Sequence, residues 1–201
     1  MGSRSSKDGD IDSALKRLNK TSSALELPED VQIRAAAVYR KISERINSNC
    51  TDCMVAASIY SACKQKGVPI TLSEISSHLD VSRKEVRSTH KAISRELKLK
   101  YMPSSPSDYI PRFCTVLGLD GSVLKKAMEI NGKAEEKGIN SGKGSASMAA
   151  ASIYLAAILE TEKITQREVA EVAGITEVTI RNRYMDLADK LGDAAKIKSK
   201  L

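Results

Sequence analysis

Two stretches of the chain, MVAASIYSACKQ from Met54 to Gln65 and MAAASIYLAAIL from Met148 to Leu159, are apolar on nearly every side and rich in alanine. A helix with that pattern must be enclosed by other elements, because no face is left for water. Around each stretch, apolar residues return at steps of three and four with polar residues between them, the signature of amphipathic helices with one buried stripe. Proline, glycine and helix-capping residues punctuate the pattern. The spacing predicts ten helices, at about 11–25, 29–47, 51–66, 72–79, 83–98, 106–118, 121–138, 145–160, 166–173 and 177–191. The fold class is therefore all-α.

The order of these helices is written twice. The phrase AASIY runs from Ala56 to Tyr60 and again from Ala150 to Tyr154, and the same register aligns Ile70 with Ile164, Glu74 with Glu168, Arg87 with Arg181 and Leu97 with Leu191. Upstream, with a two-residue shift taken up in the loops, Leu27 aligns with Leu119, Val31 with Val123 and Ala35 with Ala127. Internal repetition over such a length marks two copies of one structural unit. The expected organisation is a disordered leader at 1–10, a first five-helix repeat at 11–100, a linker at 101–107, a second repeat at 108–195 and a tail at 196–201. The linker is drawn from KYMPSSPSDYIP, rich in proline and serine.

The last two helices of the second copy, QREVAEVAGITEVTIRNRY, have the punctuation of a helix-turn-helix. Ala170 is small, Gly174 can take the left-handed conformation that ends the first helix, and Thr176 can cap the second. Ile180, Tyr184, Leu187 and Leu191 form the buried stripe, so Val178, Arg181, Asn182 and Met185 point outward. A valine and a methionine beside an arginine suit a DNA major groove, where arginine pairs with guanine and valine presses on a thymine methyl. The equivalent face of the first copy carries Lys84, Arg87, Ser88 and Lys91. It suits phosphates or an acidic protein surface.

Composition sharpens the class of partner. Lys and Arg number 32 against 25 Asp and Glu, a formal charge of +7, which favours an anionic partner. Aromatic residues make up 3% of the chain, too few for a platform that stacks unpaired bases, so duplex DNA is the expected nucleic acid. No apolar run is long enough for a membrane span and no secretory signal is seen, so a soluble, intracellular protein is expected. Cysteines stand at 50, 53, 63 and 114. The pair in CTDC invites a metal or redox reading, but it lacks the second ligand pair of a structural zinc site, so Cys50 and Cys53 are expected to be inert and no metal is assigned. No cluster has catalytic spacing, so the protein is not expected to be an enzyme or to carry a cofactor.

The phrases LPEDV, RAAAVYRK, VAASIYSACK, INSGKGS and AAASIYLAA, followed by the helix-turn-helix phrase, together resemble the core of archaeal transcription factor B, the counterpart of eukaryotic transcription factor IIB, across residues 11–195. The resemblance implies two cyclin-like folds that clamp TATA-binding protein on promoter DNA, read the B recognition element upstream of the TATA box and recruit RNA polymerase. It places base reading on Val178 and Arg181. Contacts to the DNA backbone are expected from Gly142, Lys143, Gly144, Thr176, Thr179, Arg167 and Arg183, and contacts to TATA-binding protein or phosphate from Arg83, Lys84, Arg87 and Lys91. GKGSAS lacks a proline that often follows this loop in the family. The family's zinc ribbon would need cysteine pairs before residue 11, so this stretch is expected to bind promoter complexes, as a monomer, without supporting initiation. A cyclin-type regulator of a protein kinase would share the fold, but the basic charge and the groove-like helix argue against it.

Overall fold

A computed structural model describes residues 3–46 and 50–193. The expected end of the second helix at residue 47, the last residues of the second repeat and the tail at 196–201 lie outside the described residues. Ten helices are present among the described residues, in the expected order. The chain divides into two compact units between Pro103 and Ser104, and each has its own hydrophobic core.

The first unit contains α1 (Ser3–Ala24), α2 (Glu29–Ser43), α3 (Thr51–Lys66), α4 (Leu72–Leu79) and α5 (Arg83–Glu96). Helix α3 is the hub. It packs on α1, α2, α4 and α5, and every residue from Cys53 to Ile59 is buried. Alanines at 56, 57 and 62 let neighbouring backbones approach, while Ile42, Ile75, Val86 and Ile93 fill the space from the surrounding helices. One expectation is corrected here. Helix α1 begins at Ser3, so residues 3–10 of the stretch set aside as a disordered leader are helical. It contains no proline, and the helix simply runs on as polar turns ahead of its first core residue, Ala14.

The second unit repeats the plan with α6 (Pro106–Val116), α7 (Gly121–Glu136), α8 (Ser145–Glu160), α9 (Gln166–Ala173) and α10 (Glu177–Leu191). Helix α8 is its hub, buried continuously from Met148 to Ala157 and packed on α6, α7, α9 and α10. The boundary differs slightly from the expected linker. Tyr101 lies against His90 and the Met102 N–H donates to the Lys64 carbonyl at 3.0 Å, which fastens this stretch to the first unit. Pro106 opens α6 at a position that has no N–H to satisfy, and Ser105 caps it reciprocally with Asp108.

Candidate nucleic-acid interface

Helix α9 is started by a reciprocal cap. The Glu168 N–H donates to Thr165 Oγ1 at 3.2 Å, and the Thr165 N–H donates to Glu168 Oε2 at 2.8 Å. Hydrogen bonds from the Thr165 hydroxyl and N–H hold the Glu168 carboxyl below the usual range. The helix ends at Gly174, whose φ of +66° lets the chain reverse, and the Ile175 N–H closes the turn on the Ala170 carbonyl at 3.0 Å. The first unit builds the same pair, with Thr71 and Glu74 at the start of α4 and the left-handed residue supplied by Asp80, at φ +50°. Thr176 then caps α10 by accepting from the Thr179 N–H at 3.2 Å.

The buried stripe of α10 consists of Ile180, Tyr184, Leu187 and Ala188, with Leu191 partly buried, so α10 is fixed in rotation about its own axis. That rotation exposes Val178, Arg181, Asn182 and Met185 on one face. Val178 is 66% exposed and Met185 55%, so two apolar side chains lie open to solvent on the face that carries Arg181. Arg181 makes no ion pair among the described residues. Thr176 is exposed at the N-terminus of α10, with Thr179 and Arg183 half-buried beside it. On α9, Arg167 is exposed but paired with Glu171 at 3.0 Å.

The loop before α8 is held differently from what its sequence conveys. Gly142 has φ +70°, Gly144 caps α8, and both are exposed. Lys143, expected as a free phosphate contact, is 15% exposed and its ammonium pairs with Asp186 of α10. Asp186 also pairs with Lys190 at 2.7 Å, and these two lysines hold its carboxyl below the usual range. The ammonium is thus engaged within the protein, and it fastens the loop to the helix that carries Arg181. Asp186 was missed in the sequence because its partner lies far away along the chain.

In the first unit Arg83, Lys84, Arg87 and Lys91 are all exposed on α5. Lys84 and Lys91 occupy the positions of Val178 and Met185, so the same helix face is cationic in one copy and partly apolar in the other. Cys50 and Cys53, expected to be inert, are joined as a disulfide at the N-terminus of α3. On the inner side of α5, His90 is half-buried between Tyr60 and Tyr101, with Nδ1 2.9 Å from Ser61 Oγ. Burial, then the nearby Lys64 charge, push its pKa down to about 4.

With two repeats and these faces in place, the chain was compared with known proteins. The family described as the transcription factor TFIIB repeat matches twice, over residues 7–96 and 100–190. The chain belongs to the TFIIB family. It is 56% identical over 181 residues to a transcription initiation factor IIB of Archaeoglobus fulgidus, covering 89% of this chain and 56% of that protein. The corresponding factor of Methanosarcina mazei is 52% identical over 180 residues, with 89% and 53% covered, and that of Methanococcus aeolicus 47%, with 89% and 54%. The chain spans about half the length of the curated relatives it matches. The two TFIIB matches fall on the two five-helix, cyclin-like units, α1–α5 and α6–α10. No helix among the described residues is long and apolar enough to cross a membrane.

Proposed function

We propose that this chain is the core of a general transcription initiation factor: it binds the complex of TATA-binding protein with promoter DNA and, in the full-length factor, helps recruit RNA polymerase. Membership of the TFIIB family supports the general role. The observation that carries the DNA-reading part is the outward face of α10, where Arg181 stands between two exposed apolar side chains, Val178 and Met185, at the second helix of a helix-turn-helix. Val178 and Arg181 read the upstream element, the arginine by two hydrogen bonds to a guanine and the valine by contact with a thymine methyl. The capping hydroxyl of Thr176 and the backbone N–H groups at the start of α8, beside Gly142 and Gly144, face phosphates at positive helix ends. Arg83, Lys84, Arg87 and Lys91 of α5 meet an acidic surface of TATA-binding protein or the phosphate backbone. The chain acts as a monomer, since two non-identical faces replace the symmetric pair of a dimeric repressor.

The test is a gel shift on a promoter fragment with and without TATA-binding protein. Binding is expected to be far tighter in its presence, because neither face alone offers the area of a strong sequence-specific site. Equal binding in its absence would overturn the reading. Charge reversal at Lys84 together with Arg87 is expected to weaken the ternary complex.

A further inference from the structure

We infer that Cys50, Cys53 and Glu85 form a binding site for a thiophilic divalent metal ion of the zinc class in the reduced protein, and that the disulfide is the oxidised, metal-free form of that site. Three potential ligand atoms, two sulfurs and a carboxylate oxygen, lie within 4.8 Å of one another. Cys53 Sγ is 3.6 Å from Glu85 Oε2, close to the edge of about 3.5 Å that a tetrahedron with zinc–sulfur bonds near 2.3 Å and zinc–oxygen bonds near 2.0 Å requires. The two cysteines reach one point because Cys50 is the N-cap of α3 and Cys53 sits one turn along it. The Cys53 N–H donates to Cys50 Sγ at 3.1 Å, and the positive end of α3 favours negative charge on both sulfurs. Cys53 is buried, Cys50 half-buried and Glu85 exposed, which leaves the fourth tetrahedral position facing solvent for water. The third ligand comes from α5 and answers the objection raised by the sequence, where CTDC has no second pair.

The chemistry balances with a thiol as reductant. Two thiol molecules give two electrons and two protons to the disulfide, becoming a disulfide themselves, and leave Cys50 and Cys53 as thiols. The metal ion then displaces the two thiol protons and binds two thiolates and the Glu85 carboxylate. Binding joins the N-terminus of α3 to the first turn of α5, and because two protons leave as the ion's two charges arrive, the site keeps its net charge and acts as a crosslink between the two helices.

The experiment is an anaerobic titration of the thiol-reduced full chain with cobalt(II), a spectroscopic stand-in for zinc, followed by displacement with zinc. One cobalt per chain is expected, with the sulfur-to-cobalt charge-transfer band of two thiolates, and Cys50→Ser and Cys53→Ser are each expected to lose most of it. Glu85→Gln, at an exposed position that leaves the fold intact, is expected to weaken zinc binding by more than about tenfold, the scale at which even outer-shell partners act. Zinc is expected to raise the melting temperature of the reduced parent and not that of Cys53→Ser. A fully reduced chain with no charge-transfer band would make the pair a redox couple alone and overturn the site. Unchanged affinity in Glu85→Gln would remove α5 from it and overturn it equally.

Discussion

An arginine aimed at a base edge differs from one aimed at a phosphate in what its loss does to discrimination. Arg181→Ala is expected to cost about 1–3 kcal/mol on a promoter with an intact upstream element and much less where that element is scrambled. Val178→Ala should act in the same direction, more weakly. Ile180→Ala is the control, since truncating this fully buried side chain should lower stability by about 2–5 kcal/mol before it alters specificity. Equal losses for Arg181→Ala on both promoters would make α10 a packing element. His90 gives a second residue-level expectation. Its pKa of about 4 lies below the ordinary 6.5, so between those values the unfolded chain binds the proton and the folded one resists it. Stability of the first unit should therefore fall as pH drops from 6.5 to 4. Melting curves across that range should show a shallower fall in His90→Gln, whereas carboxylates contribute alike to both proteins.

Single helices were the most legible scale, and their partnerships across the chain the least. The spans of α8, α9 and α10, Ser145–Glu160, Gln166–Ala173 and Glu177–Leu191, follow from the pattern of apolar residues and caps, because periodicity and capping are local properties. The outward placement of Val178 and Arg181 was legible for the same reason. Glu85 beside Cys53 and Asp186 beside Lys143 were not, since nothing near a residue in sequence announces a partner on another helix. Helix α1 was cut short because polar composition was read as disorder, although a helix without a proline can extend past its core contacts. The Lys143–Asp186 pair belongs to this scale, because it joins the loop before α8 to α10. Its half-buried setting makes it stronger than an exposed ion pair, and a double-mutant cycle with Lys143→Met and Asp186→Asn should give a coupling of about 1 kcal/mol or more in thermal or denaturant unfolding. Coupling near zero would release the lysine for DNA.

At the scale of the molecule, the two cores share no residue among the described residues, and each hub packs on the helices of its own unit. Residues 1–103 and 104–201, produced separately, should each give a helical circular-dichroism spectrum and a cooperative melt. Failure of either piece to fold would show that its core depends on the other half. The hubs also explain how one plan came to present two unlike faces. A larger side chain at Ala56 or Ala150 would press on several neighbouring helices at once, whereas exchanging a lysine for a valine at the outer position shared by Lys84 and Val178 disturbs none of them. Inheritance of the interior and freedom of the exterior are thereby separated, and a duplicated unit can acquire a new target through a handful of surface changes without having to discover a fold again.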